Sequence, residues 1–241
     1  TEFAKGYGVP NVLSDAAELH ADNIDAAIVA TPPFHHAPCS IELMQRGIHV
    51  LVEKPMATSY EDAARMVETA EELGVVLSVG FFRRLNPSIR LMKSLLDSKW
   101  LGRPVSFHVE GGGMYNWPAA TLANMRKDWA GGGVLIDFGS HMLDLMFALF
   151  DEPANVIEYC DNSYGGVESD CTIRLRVRHD EELVEGTVEL ARTRSLGALI
   201  RVECEHGTLE FHVNERFRIR VTPDQLTLVD PFNGKDRGYW L

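Results

Sequence analysis

The chain has 241 residues, 45% of them hydrophobic and 24% charged, the balance of a globular protein with room for one large or two medium domains. Its 23 basic and 35 acidic side chains leave a formal net charge of −12, which excludes a general binder of nucleic acid or of anionic membranes, since either needs a basic face. The four cysteines, Cys39, Cys160, Cys171 and Cys204, form no CxxC pair and read as reduced residues of a cytoplasmic protein rather than as disulfides or a zinc site. No apolar run is expected to reach transmembrane length, and no signal peptide is visible.

The first residues, TEFAKGYGVP, lack an initiator Met and read as the end of a helix, with Phe3 and Tyr7 on one face and Gly8 and Pro10 as its stop. The expectation is that a further segment precedes them. Asn11–Leu13 is a short predicted strand, and Ser14 or Asp15 caps a brief helix through Ala21. Asp25–Ala30 is a second strand, ending in Thr31-Pro32-Pro33. A helix from about Ala37 to Arg46 follows, with Ile41 and Met44 inward and Gly47 as its stop. Ile48–Val52 is the next strand, predicted to be buried on both faces, and it ends abruptly in Glu53-Lys54-Pro55. Pro55 holds Lys54 in the extended region, and the bond between them is a candidate cis peptide.

Ser59, with Asp62 three residues on, caps a helix to Leu73 whose inner face is Ala63, Met66, Val67, Ala70 and Leu73. Gly74 ends it, and Val75–Val79 is another buried strand. Residues 11–80 therefore predict β-α-β-α-β-α-β, a parallel α/β sheet. In such sheets ligands sit beyond the carboxyl ends of the strands, where Thr31-Pro32 and Glu53-Lys54 fall. The plain alternative for Glu53 and Lys54 is a surface salt bridge at a loop.

Past Arg84 the character changes. Pro87 to about Leu96 is an amphipathic helix, and Pro104–Glu110 a strand with alternating sides. Gly111-Gly112-Gly113 reads as a loop before an irregular stretch through Asp128, and Gly131-Gly132-Gly133 opens a long helix, Val134–Phe150. From Ala154 the alternating segments 154–160, 171–178, 183–191, 198–204, 208–213 and 216–221 predict an antiparallel sheet. A boundary falls near residues 81–86.

The helix 134–150 is apolar nearly all round, so it is predicted to be buried. Set into it are Asp137, His141 and Asp144, whose spacings of four and three put them on adjoining parts of one face. Such groups must be paired, ligated or facing a cavity. Three readings compete. A structural polar network would have both aspartates fixing His141. A metal site, Asp-x3-His-x2-Asp, has no fourth ligand nearby. A proton-transfer site would use His141 as acid and base, with Asp137 setting its tautomer or pKa.

Taken together, Thr31-Pro32 with His36, Gly47-Ile48-His49-Val50-Leu51-Val52-Glu53-Lys54-Pro55, Arg83-Arg84 with Pro87, Leu101-Gly102-Arg103-Pro104, and Gly131-Gly132-Gly133 through Asp137, Gly139, His141 and Asp144 resemble the Gfo/Idh/MocA family of oxidoreductases, which includes glucose–fructose oxidoreductase and inositol dehydrogenase. The match is dense to about residue 150 and rests beyond it on the strand pattern alone. The resemblance implies an α/β fold: residues 1–82 as the C-terminal part of a Rossmann-type parallel sheet, and 83–241 as an α+β domain with a large, mostly antiparallel open sheet. Through that sheet the family often forms subunit contacts, so a homo-oligomer, dimer or tetramer, is expected. It implies NAD or NADP as cofactor and a small sugar or polyol as substrate. Lys54 would lie between nicotinamide and substrate, and Asp137 and His141 on the substrate side, with His141 the acid/base. Thr31, Pro32 and His36 would border the nicotinamide, with Glu53, Pro55 and Arg83 also on the cofactor side.

The chemistry agrees with this assignment. Removing a hydride from a carbinol carbon requires its hydroxyl proton to leave to a base, and a cation near the oxygen stabilises the negative charge that develops there. The family's Gly-rich fingerprint is absent, however. Gly6-Tyr7-Gly8 follows no strand and is completed by Asn11, while Gly111–Gly113 and Gly131–Gly133 fail the GxGxxG spacing. The acidic residue that selects NAD over NADP would lie in the same missing region. Pro33 stands where many relatives have Asn, and the chain stops at Leu241, earlier than family members usually do. The expected protein is an NAD(P)-dependent dehydrogenase acting on a hydroxyl carbon of a sugar, cyclitol or polyol. The alternatives are a non-catalytic dinucleotide sensor of the same fold and, more distantly, a metal-dependent hydrolase. His35 and His49 read as ordinary loop and strand residues, Trp117 and Trp129 as cleft or packing residues, and Asn233-Gly234 as a turn.

Overall fold

The computed structural model describes residues 2–115, 125–215 and 217–224. Trp117 and the Asn233-Gly234 turn lie outside the described residues. Two compact units emerge, Thr1–Gly80 with Thr121–Gly132, and Phe81–Ala120 with Gly133–Leu241.

The first unit is built on a parallel sheet of three strands, β1 (Ala26–Val29), β2 (His49–Val52) and β3 (Leu77–Val79), in the order β1-β2-β3. Its helices are the short α1 (Glu2–Gly6) and α5 (Lys127–Ala130) and the longer α2 (His36–Gln45) and α3 (Tyr60–Leu73), and the longer pair bury Leu43, Met44, Met66 and Ala70 against Val29, Val50 and Val52. The stop and start signals act as read. Ser59 Oγ accepts the Asp62 N–H at 3.1 Å, and Gly74 closes α3 at φ 65°, a left-handed conformation that favours glycine.

Three expectations need correction. β2 is not buried on both faces. Val50 and Val52 are buried while His49 and Leu51 are exposed, because α2 and α3 cover one side and successive strand residues point to opposite sides. On α3, Val67 and Leu73 are exposed, so the buried stripe is narrower than the periodicity suggested. Asn11–Leu13 forms no strand, and the brief helix shrinks to a 3-10 turn, Ala16–Glu18. Asp15 caps that turn, its carboxylate accepting from Ala17 N at 2.8 Å. His20 and Asn23 then make a competing turn, the Asn23 side chain accepting from His20 N at 3.0 Å.

The second unit carries a seven-stranded mixed sheet: β4 (Pro104–Gly112), β5 (Glu152–Asp161), β6 (Asp170–His179), β7 (Glu182–Ala191), β8 (Leu199–Cys204), β9 (Gly207–His212) and β10 (Arg220–Pro223). Its order is β10-β9-β8-β4-β7-β6-β5, antiparallel throughout except for the parallel pair of β4 and β7. Gly111 and Gly112 belong to β4 rather than to a loop, because the strand goes on pairing with Leu190 and Ala191. Helices α4 (Pro87–Asp97) and α6 (Ser140–Leu149) pack Ile89, Met92, Met142 and Leu145 on the inner face of the sheet. The outer face is a lattice of charge pairs. Arg174 and Arg176 share Glu185, Arg201 and Arg220 share Glu210, and Arg103 holds Glu205.

The expected helix Val134–Phe150 is not uniform: Leu135–Gly139 is a π-helical turn, and regular α6 follows it. Its start is tied to the loop before β6. The buried Glu168 carboxylate accepts from Gly133 N at 2.8 Å and from Leu135 N at 2.9 Å, and the Glu168 carbonyl accepts from Val134 N at 2.9 Å. A Cβ on Gly133 would run into that carbonyl oxygen, which explains the glycine. The stretch Lys127–Leu149, 23 residues with a window of mean hydropathy 1.3 inside it, is long and apolar enough to cross a membrane by length and composition alone, where the sequence reading expected no such run. Met142, Leu145, Met146 and Leu149 within it are fully buried in the core of the second unit.

Two outcomes follow for stability. Glu168→Ala strands two helix-start N–H donors and is expected to lower unfolding free energy by about 3 kcal/mol, read from urea titrations; wild-type stability would rule out the clasp. The arginines hold the carboxyls of Glu185, Glu205 and Glu210 below their ordinary value of 4.5. A depressed folded-state pKa means stability that is present above the unfolded value and lost as pH falls through the folded one. Melting temperature should therefore fall as pH drops below about 4.5, and the loss should shrink in high salt.

Candidate functional site

In the first unit the loops after β1 and β2 come together. The β-ladder continues into them, with Glu53 N donating to Val29 O at 2.9 Å. Thr31 and Pro32 are exposed at the end of β1, as is Glu53 at the end of β2. Lys54 and Pro55 are half-buried, and the bond joining them is cis. The Glu53 carboxylate accepts the Lys54 main-chain N–H at 3.2 Å. His36 ties the two loops: its Nδ1 lies 2.7 Å from Pro55 O and its Nε2 2.8 Å from Thr31 O. At 1% exposure the ring faces these carbonyls rather than solvent, so its place is beneath the loops. Trp129 packs against Phe34, ring centroids 5.1 Å apart, with Arg126 stacked 4.6 Å from the indole.

In the second unit, Asp137 lies on the π turn and His141 and Asp144 on α6. His141 is buried, with the edges of Phe81 and Phe82 at centroid distances of 5.9 and 5.7 Å. Asp144 has a side chain only 4% exposed and is clasped by Arg84 through both oxygens, Nε to Oδ2 at 3.0 Å and Nη2 to Oδ1. That contact raises the Arg84 pKa above its ordinary value. Asp137 is half-exposed and receives Arg192 Nη2 on Oδ2 at 2.5 Å. Arg83 stands 5.5 Å over the Phe138 ring, and burial lowers its pKa. Its Nη1 is buried and has no hydrogen-bond partner among the described residues.

Each aspartate thus has its own guanidinium. Among the described residues no three His, Cys, Asp or Glu side chains converge as metal ligands would. Sequence reading named Arg84 only within the Arg83-Arg84 motif, without its partner Asp144, and missed Arg192 and Glu168. Their partners lie 60, 55 and 33 to 35 residues away, distances at which no local pattern speaks.

The residues can be tested against a nicotinamide dinucleotide. The open carboxyl ends of β1 and β2, with exposed Thr31, Pro32 and Glu53 and half-buried Lys54, suit its nicotinamide end. Neither described glycine run suits its pyrophosphate: Gly112 closes against Ala191, and the N–H groups after Gly132 are spent on Glu168.

Because Asp144 is enclosed, Arg84→Ala leaves a carboxylate buried without its counter-charge. The expected loss is about 3 kcal/mol in urea unfolding, recovered in part by Arg84→Ala with Asp144→Asn; equal stability of both variants would show that the clasp is not needed.

A family model for the oxidoreductase family, NAD-binding Rossmann fold, matches residues 1–81, and a GFO/IDH/MocA C-terminal domain model matches 89–210. The chain is 32% identical over 171 residues to a 1,5-anhydro-D-fructose reductase of Ensifer adhaerens, covering 69% of this chain and 50% of that protein. It is 28% identical over 207 residues to a scyllo-inositol 2-dehydrogenase (NAD(+)) of Bacillus subtilis, covering 84% and 59%. The chain therefore spans about half the length of the curated relatives it matches. The crystal structure of the WlbA dehydrogenase from Bordetella pertussis, in complex with NADH and UDP-GlcNAcA, superposes with a TM-score of 0.81 at 27% identity, over 93% of this chain and 71% of that one. With both halves matched by the family's two domain models, the chain belongs to the Gfo/Idh/MocA family of NAD-binding, Rossmann-fold oxidoreductases.

Proposed function

We propose that the protein to which this chain belongs is an NAD(P)-dependent dehydrogenase that moves a hydride between the nicotinamide and a hydroxyl-bearing carbon of a sugar, cyclitol or related polyol. The observation that carries this reading is, within the second unit, an acid/base candidate, His141, set in a buried helix that also bears two ion-paired aspartates, and Lys54 at a parallel-strand carboxyl end of the first unit supports it. The names of the relatives, a reductase of an anhydro sugar and a dehydrogenase of an inositol, support the substrate class.

When bound, the nicotinamide supplies the two-electron acceptor or donor. Thr31, Pro32, Glu53 and Pro55 would hold its nicotinamide end, and His36 keeps the Thr31 and Pro55 carbonyls in register. The Lys54 ammonium would donate a hydrogen bond to the reacting oxygen and stabilise its negative charge. His141 would take the hydroxyl proton during oxidation and return it during reduction, the phenylalanine edges limiting water around its ring. Asp137, paired with Arg192, would orient the substrate side of the site.

The test uses the full-length protein carrying this sequence. NADH and NADPH are titrated by fluorescence, and turnover is screened with 1,5-anhydro-D-fructose, scyllo-inositol and other polyols. Saturable binding and turnover are expected, with Lys54→Ala and His141→Ala each lowering turnover by roughly a hundredfold or more while melting normally. Unchanged turnover in both variants would overturn the catalytic roles. Cofactor binding without turnover of any polyol would instead favour a dinucleotide-binding sensor.

A further inference from the structure

Arg192 stands at the end of β7 with a side chain only 10% exposed. Its main chain is fixed on two sides: its N–H donates to Ser169 O at 2.8 Å and to Asp170 Oδ1 at 3.2 Å, and its carbonyl accepts from Tyr115 N at 3.0 Å. The guanidinium is fixed as well, lying 5.3 Å from the Tyr115 ring and donating to Asp137 Oδ2 at 2.5 Å. The acceptor, by contrast, sits on a π-helical turn with its side chain 44% exposed. A rigid cation beside a half-exposed carboxylate on a π turn favours the rotamer that meets it.

From this arrangement we infer that Arg192 is the positioning residue of the site: it holds Asp137 in one rotamer, with Tyr115 as the plate against which the guanidinium is stacked. The inference rests on the dehydrogenase reading. Arg192 need touch neither substrate nor cofactor, since most of its surface is covered and its charge is directed at Asp137. Arginine rather than lysine fits the role, because a planar guanidinium can stack on an aromatic ring while pointing one N–H at a carboxylate, and an ammonium lacks that plane.

The experiment uses the full-length enzyme and the polyol panel above. Arg192→Ala is expected to lower kcat/KM for the polyol by about tenfold or more, the scale of a small misplacement of a site group, while leaving the KM for the nicotinamide cofactor unchanged. Millimolar guanidinium chloride, too dilute to unfold the protein, should restore part of the lost rate to Arg192→Ala, and sodium chloride at equal ionic strength should not. Arg192→Lys should recover less than half of the loss. A variant that loses affinity for cofactor and polyol alike and is insensitive to guanidinium would show a merely structural role and overturn the inference. So would wild-type kinetics in Arg192→Ala while Lys54→Ala and His141→Ala are impaired, which leaves the dehydrogenase reading standing. An unaltered enzyme that turns over no polyol removes that reading and this inference with it.

Discussion

An apolar helix buried against a sheet has to carry three ionisable side chains without stranding any of them in a medium of low dielectric. Asp144 is the severe case, since its side chain is almost wholly enclosed, and it is met by the two-pronged clasp of Arg84. Asp137 is the mild case, half in solvent, and a single guanidinium from the end of β7 meets it. His141 lies between them in sequence, with aromatic edges from Phe81 and Phe82 beside its ring. The helix start needs its own solution, because its first N–H groups have no partner within the helix. Glu168 provides it from the loop before β6. Each solution pulls a distant segment onto this helix, so the fold of the second unit and the geometry of its polar residues share one cause.

The first unit solves a smaller problem by a similar route. Two loops leave the carboxyl ends of neighbouring parallel strands, and nothing in the strand ladder itself fixes their tips. His36, at the start of α2, has its two ring nitrogens within hydrogen-bond distance of the carbonyls of Thr31 and Pro55 and so packs against both loops. The His36 ring lies under the loops that carry Thr31 and Lys54. The exposed residues of those loops, rather than the ring, are the ones open to a ligand.

Much of this was legible in the chain, and the reasons differ by element. The Ser59 cap and the Gly74 stop are local chemistry, and both stand where read. Five of the strands expected after residue 150 are present, because a sheet with one buried face imposes a period of two, while the last falls at Arg220–Pro223 rather than at 216–221. Exposure of the far face of β2 was not legible, since a run such as His49–Val52 has the same composition whether one face or both are covered. The π turn was not legible either: Asp137 and His141 read as i and i+4 on a regular helix, and one extra residue per turn changes which way Asp137 faces without changing any residue type. The arginines that pair with the aspartates lay beyond any local window.

The glycines show how a motif's residues can be spent on something other than its function. Gly131–Gly133 precedes a helix, and a helix start is where a phosphate is commonly bound. Here the position is taken: the Glu168 carboxylate sits on the N–H groups of Gly133 and Leu135, and its carbonyl crowds the place of a Cβ on Gly133. An anion arriving there would have to displace a buried carboxylate that is already bonded, and would gain no donor that Glu168 does not use. The run of glycines therefore serves the close approach of two chain segments.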